Sequence, residues 1–167
     1  MKSDEHQHTI VSLVEDKPGV LTRIAGLFRR RGFNISSLTV GKSESPGLSR
    51  MTFVVTGSPE IVVQATRQLD KLIDVHTVCD ITDLKIVARE LALIKVSSTP
   101  ETRSEIIQLA QMYRASVVDV GRNSTVIEVT GNEDKITSLQ DLFEPYGIIQ
   151  IMRTGRVAMT RGNETEK

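Results

Sequence analysis

The same order of short segments occurs twice along the chain, and this repeat constrains the fold more than any other feature. The segment VVTGSPE (54–60) in the first half corresponds to EVTGNED (128–134) in the second. Each combines a β-branched run, a glycine and the polar start of a helical pattern. A chain that repeats its segments in this way is expected to form two similar units in tandem.

In the first half the predicted order is strand, helix, strand, strand, helix, strand. The predicted strands are 9–15, 34–41, 49–57 and 74–82, where β-branched residues are frequent and apolar residues alternate. Apolar residues at helical spacing predict the two helices. They are Val20, Leu21, Ile24, Leu27 and Phe28 in the first helix, and Ile61, Val62, Ala65, Leu69, Leu72 and Ile73 in the second.

The second half repeats this order, with predicted strands at 89–98, 116–121 and 124–131 and a closing strand region at 148–159. Its helices are marked by Ile106, Ile107, Ala110 and Tyr113, and by Ile136, Leu139, Leu142 and Phe143. The sequence therefore predicts an α+β protein of two ferredoxin-like βαββαβ units, 1–83 and 84–167. Units of this size bury a modest share of their surface, which favours docking or oligomerisation.

Composition excludes several classes of protein. The 167 residues contain 21 Lys+Arg and 21 Asp+Glu, so the chain lacks the positive charge expected of a general nucleic-acid binder. No apolar run is long enough to cross a bilayer, and the first residues do not resemble a signal peptide. A single cysteine, Cys79, is typical of a reducing compartment. We expect a cytoplasmic protein.

A Pro-Gly pair stands where the first helical pattern begins. Asp16 and Pro18 flank the helix start, and a proline in the first helical turn loses nothing because its N–H would be unpaired there. Gly19 has no Cβ, so a ligand can approach its backbone closely. The free N–H groups of a first helical turn attract an anion, and a carboxylate fits such a position.

Asn34 begins the strand that follows this helix. Its carboxamide offers donors and an acceptor, which suits a zwitterion. Val20, Leu21 and Ile35 could supply an apolar lining. These residue types together fit a free amino acid with a small aliphatic side chain. The alternative interpretation of the same residues is turn chemistry alone, because D-x-P-G and Gly-Phe-Asn are common at turns and helix exits.

Other conspicuous residues predict no further site. The basic run Arg29–Arg31 suits the C-terminal end of a helix dipole, with a contact to a partner protein as the alternative. His6 and His8 lack a ligand cluster and are expected in a flexible end, while His76 and Cys79 point to opposite faces of a strand. We therefore expect no metal site.

Four segments together resemble the small, regulatory subunit of acetohydroxyacid synthase (acetolactate synthase). They are DKPGVLTRIAGLFRRRGFNISSLTVGKSESPGLSRMTFVV (16–55), RELALIKV (89–96), VVDV (117–120) and RTGRVAMTRG (153–162). The resemblance runs in order from about Thr9 to Gly162, which is far more specific than a short motif. The last segment, taken by its residues alone, is a terminal strand and turn, a partner surface or part of an effector site.

The resemblance implies an amino-acid-sensing ACT domain followed by a related ACT-like domain. Such a subunit has no catalytic residues and holds no cofactor itself. It binds a large catalytic subunit that uses thiamine diphosphate, FAD and a divalent metal, Mg²⁺. It raises the activity of that subunit and confers inhibition by valine, the end product of the pathway.

The resemblance also implies where valine binds, between two ACT domains that pair edge to edge in a homodimer. By position, one chain contributes Asp16, Lys17, Pro18, Gly19, Val20 and Leu21, and the other contributes Asn34 and Ile35. The pattern that the resemblance implies has Asn where this chain has Asp16, whose carboxylate would favour the ammonium group of the ligand but repel its carboxylate. The choice among valine, leucine and isoleucine therefore stays open.

The sequence leaves three other functions to compare. One is a different ACT-type amino-acid regulator. A second is RNA binding, since the RRM shares the βαββαβ plan, but it needs stacking aromatics, and the central strands offer only Phe53. A third is a small enzyme acting on amino acids, for which the sequence shows no acid–base pair or nucleophile motif.

Overall fold

The computed structural model describes residues 6–162, which divide into two compact units. The first unit comprises residues up to Val87 together with the segment from Arg156, and the second is Ala88–Gly155. The strands are β1 (His6–Glu15), β2 (Asn34–Lys42), β3 (Leu48–Gly57), β4 (Val75–Asp80), β5 (Ile86–Ser97), β6 (Ser116–Val120), β7 (Ser124–Gly131), β8 (Ile148–Arg153) and β9 (Val157–Thr160). The helices are α1 (Val20–Arg31), α2 (Pro59–Leu69), α3 (Arg103–Met112) and α4 (Glu133–Phe143), followed by a 3-10 turn at Glu144–Tyr146.

The first unit is an antiparallel sheet with strand order β2-β3-β1-β4, and its helices α1 and α2 cover one face. Alternate residues of β1 and β3 form the core beneath the helices, where Phe53 stacks on Phe28 at a centroid distance of 5.3 Å. The predicted ferredoxin-like pattern is confirmed. Within residues 6–162 no helix is long and apolar enough to cross a membrane.

The second unit repeats the arrangement, with β6-β7-β5-β8 as its strand order and α3 and α4 over the core. The repeated segments occupy equivalent places, because Gly57 and Gly131 each end a strand directly before a helix N-cap residue. Pro59 is at the start of α2, as expected of a proline whose missing N–H would be unpaired there. Asn132 caps α4 by accepting a hydrogen bond from the Lys135 N–H at 3.1 Å.

The C-terminal segment 156–162 differs from the sequence prediction, which assigned it to the second unit and to one closing strand region. The chain leaves β8 at Arg153, and Gly155 takes a φ of +84°, which favours glycine and redirects the backbone. The next strand, β9, pairs with β5, and residues 156–162 belong to the first unit. One predicted strand is therefore two strands.

The end of α2 also differs from the predicted apolar stripe. The helix ends at Leu69, and the chain turns through hydrogen bonds from Leu72 N–H to Leu69 O and from Val75 N–H to Leu72 O. Leu69 is fully buried, whereas Ile73 is 91% exposed. The expectation that Ile73 packs in the core is wrong, because it follows the helix instead of continuing it.

This contrast generates a stability prediction. We expect Leu69→Ala to lower the free energy of unfolding by about 2–5 kcal/mol, since it leaves a cavity in the core. Ile73→Ala is the matched control from the same predicted stripe and should change it by less than about 0.5 kcal/mol. Urea denaturation followed by circular dichroism measures both. Equal losses would contradict a helix that ends at Leu69 and leaves Ile73 in solvent.

Candidate functional site

The start of the loop between β1 and α1 is held by two main-chain hydrogen bonds. The Glu15 N–H donates to Asp74 O, and the Asp16 N–H donates to Gly47 O, each at 2.8 Å. These acceptors lie just before β4 and just before β3. The loop 16–19 is therefore fixed to the rigid sheet although all four of its residues are exposed.

Gly19 is the N-cap residue of α1 and has a left-handed backbone, with φ +87° and ψ −13°. Apart from Gly19 and its chain neighbours, no described atom lies within 4 Å of the position a Cβ would take there, and Gly19 has no side chain that could cap the helix. The Val20 N–H reaches Lys17 O only at 3.4 Å. The helix start is therefore open, donor-rich and approachable, as the sequence suggests.

Pro18 does not lie in the first helical turn. Since α1 begins at Val20, Pro18 lies in the turn that precedes the N-cap residue. The prediction that it spares an unpaired helical N–H is wrong. Its ring instead restricts the backbone of the turn that delivers Gly19.

Three titratable side chains at the loop lie within hydrogen-bonding distance of one another through Glu15. The Glu15 carboxylate is 2.8 Å from His76 Nε2 and 3.0 Å from Lys17 Nζ. The hydrogen bond with His76, and then that with Lys17, hold the pKa of Glu15 below its ordinary value. Nearby, Arg23 of α1 forms an ion pair with Asp74. Asp16 is exposed at the mouth of the loop, directly after Glu15.

The predicted apolar lining is split between the core and the surface. Val20 is buried and packs in the first core, so its side chain supports the helix from below. Leu21 is 47% exposed, and the partly buried Ile35 packs against the same core. Of the two apolar side chains that begin α1, Leu21 is the one presented outward.

Asn34 and Ile35 lie far from the loop of the same chain. Asn34 pairs with Thr56 in β3, whereas Leu48, at the other end of β3, pairs with Glu15. The strand from Leu48 to Thr56 separates these positions by about 26 Å. The 12 residues of α1 lead from one end to the other, which is about 18 Å of helix. One protomer therefore does not bring the two predicted parts of the site together.

His6 and His8 have structural positions that the sequence did not indicate. The flexible end expected for His6 and His8 is wrong, because both lie in β1 and His8 is buried. Its ring nitrogens have no hydrogen-bond partner among the described residues. Within residues 6–162 no group of three or more His, Cys, Asp or Glu side chains could hold a metal ion.

Sequence reasoning missed the side chains around the loop that come from other parts of the chain. His76 is 61 residues from Glu15, and Arg23 is 51 residues from Asp74. Nothing in local periodicity signals such pairs. These pairs meet because the first sheet places β4 beside β1.

Comparisons with known proteins match both units. Residues 10–77 match the family described as AHAS small subunit-like ACT domain, and residues 89–162 match the family described as small subunit of acetolactate synthase. A probable acetolactate synthase small subunit of Archaeoglobus fulgidus is 56% identical over 158 residues, covering 95% of this chain and 99% of the relative. The acetolactate synthase small subunit of Bacillus subtilis is 53% identical over 156 residues, covering 93% and 91%.

A solved structure agrees with these sequence matches. The crystal structure of the acetolactate synthase small subunit from Thermotoga maritima superposes with a TM-score of 0.88 at 42% identity, and covers 95% of this chain and 99% of its own. Sequence identity of this size over nearly the whole of both chains leaves no separate family to consider. The chain belongs to the family of acetolactate synthase small subunits.

Proposed function

We propose that this chain is a non-catalytic regulatory subunit that binds the large catalytic subunit of acetolactate synthase, raises its activity and makes it sensitive to inhibition by valine. Thiamine diphosphate, FAD and Mg²⁺ belong to the large subunit in this proposal. The observation that carries it is the open start of α1 at Gly19, in an ACT domain of this family.

The chemistry of the loop suits a small amino acid. Free N–H groups in the first turn of α1 would bind the carboxylate of the ligand. The Asp16 carboxylate would attract the ammonium group, and Leu21 offers apolar surface beside it. Asn34 of a second protomer would add a carboxamide with both donors and an acceptor.

A dimer formed through β2 would complete this arrangement. β2 is the outer strand of the first sheet, and antiparallel pairing with a second β2 puts the Asn34 end of one strand beside the Lys42 end of the other. Lys42 pairs with Ser49 of β3, which also pairs with Val14, two residues before Asp16. The second chain's Asn34 would then lie at the loop's end of the sheet.

The energies available are sufficient for such a site. Burial of a valine-sized side chain contributes about 1.5–3 kcal/mol. Each charge-assisted hydrogen bond contributes about 1.5–3 kcal/mol. After the cost of immobilisation these terms support sub-millimolar affinity.

Valine and isoleucine differ by one methylene, worth about 1–3 kcal/mol, so partial responses to related amino acids are expected. A coupling free energy of about 1–3 kcal/mol between the valine site on this chain and the active site on the large subunit would suffice for feedback inhibition.

The RNA-binding alternative loses its aromatic candidate. Phe53 is fully buried and stacks on Phe28, so it offers no ring to a base. Another ACT-type amino-acid regulator remains the runner-up, and the choice of ligand distinguishes it.

Gly19→Asp tests the loop. A carboxylate at the helix start would occupy the donors and repel the carboxylate of the ligand. We expect the valine concentration for half-maximal inhibition of the reconstituted enzyme to rise at least about tenfold, with activation of the large subunit retained.

Gly162→Asp is the matched control, since Gly162 also has a positive φ and, apart from its own atoms and its chain neighbours, no described atom within 4 Å of the place where a Cβ would stand. It should leave inhibition as in the unmodified chain. Inhibition that is unchanged by Gly19→Asp would remove the α1 start from the effector site.

Sedimentation of the unmodified chain and of a variant at the exposed edge of β2 tests the proposed dimer. We expect more than one chain per particle in sedimentation velocity at micromolar concentration. Val40→Lys brings a charge from each chain into this exposed edge and should dissociate the dimer. Val63→Lys, at a similarly exposed valine of α2, is the control and should sediment like the unmodified chain. A monomeric unmodified chain would contradict the proposed geometry.

A further inference from the structure

Arg156 forms hydrogen bonds to two strands of the first unit. Its guanidinium donates from Nη1 to Thr9 Oγ1 at 3.0 Å and from Nη2 to Gln7 Oε1 at 3.2 Å. Its main-chain N–H donates to Ser37 Oγ at 2.9 Å, and its carbonyl oxygen accepts from Thr39 Oγ1 at 2.9 Å. A single residue therefore links β1 with β2.

These bonds lie on the face of the sheet opposite the helices. Leu38 pairs with core residue Phe53, so its neighbours Ser37 and Thr39 point to the other face. Thr9 pairs with Val54, and Ser37 pairs with Val54 from the opposite side. Arg156 therefore spans the width of β3, which lies between β1 and β2 in the sheet.

The hydrogen bonds of Arg156 meet β2 directly after a bulge in that strand. The pairing of β2 with β3 shifts between Ile35 and Ser37, a bulge that interrupts the ladder in an edge strand. Arg156 holds the two residues on either side of Leu38, directly after the bulge. Asn34 and Ile35 lie directly before the bulge, where they pair with Thr56 and Val55 of β3.

We infer that Arg156 is a positioning residue for β2, which fixes the strand that carries Asn34 and Ile35 and thereby sets the affinity for the effector amino acid. It is also the residue at which the chain re-enters the first unit, since the second unit ends at Gly155. The effector part of this inference rests on the proposed function, whereas the anchoring of β2 does not.

The anchoring is tested on the full, ligand-free chain by hydrogen exchange with mass spectrometry. Arg156→Ala removes the side-chain bonds to Thr9 and Gln7 of β1, so the main chain of residue 156 that bonds to β2 is no longer anchored to β1. Exchange of β2 amides should therefore speed up by a factor of about 5–10, the size expected for one or two lost hydrogen bonds. Exchange in β4 should be unchanged. Arg161→Ala is the control, because Arg161 bonds to the carbonyl oxygens of Lys85 and Ile86, which lie outside β2.

Ser37→Ala provides a milder variant that removes the acceptor of the Arg156 N–H. It keeps the test valid if Arg156→Ala does not fold, and it should also speed exchange in β2 alone. Unchanged β2 exchange in a folded variant would overturn the inference. Equal acceleration by Arg161→Ala would assign the effect to the whole segment and overturn the role of Arg156.

Calorimetry with valine tests the second step. The unmodified chain should bind, and Arg156→Ala and Ser37→Ala should each weaken the affinity at least about fivefold, while Arg161→Ala binds normally. If the unmodified chain does not bind valine, the proposed function fails while the exchange result stands. If the variants bind as tightly as the unmodified chain, the role of Arg156 in effector affinity is overturned while the proposed function stands.

Discussion

The hydrogen-bond register of β3 against its two neighbours determines what each part of the first unit can do. Glu15 pairs with Leu48 at one end of β3 and Asn34 with Thr56 at the other, so the Asp16–Gly19 loop and Asn34 are separated by the length of the sheet. Register in a sheet with one buried face is strongly specified, because a slip by one residue would move the core residues of β1 and β3 to the wrong face. A small amino acid that contacts both parts therefore has to lie between two protomers.

The two units have the same βαββαβ order, but the turns that precede their first helices, α1 and α3, differ in hydrogen bonding. In the second unit the Thr99 N–H donates to Thr102 Oγ1 and the Thr102 N–H to Thr99 Oγ1, which closes the turn before α3. Arg103 then ties that helix to the following hairpin through the carbonyl oxygens of Gly121 and Arg122. In the first unit, Gly19 leaves the equivalent position open. Side chains thus close the turn that precedes α3, whereas Gly19 offers no side chain at the start of α1.

Much of the fold could be predicted from the sequence, because the element types follow from local periodicity. The alternation in β3 and the helical spacing from Val20 to Phe28 are visible without any tertiary knowledge. Ile73 fits helical spacing as well, and only the turn into β4 takes it out of the core. The pair Glu15–His76 and the bonds of Arg156 to β1 and β2 join residues 61 to 149 positions apart, which no local pattern can reveal.

The central claim is that one binding site is built from two chains, and a mixed dimer tests it most directly. Gly19→Asp and Asn34→Ala each damage one half of the site, so each homodimer should lose valine binding. In a heterodimer of the two variants, co-expressed with different tags and purified through both, one site regains an intact loop and an intact Asn34 while the other carries both changes. Calorimetry should then show valine binding at half the stoichiometry of the unmodified dimer and with its affinity. A heterodimer that binds no valine, while the unmodified dimer does, would show that the site lies within a single protomer.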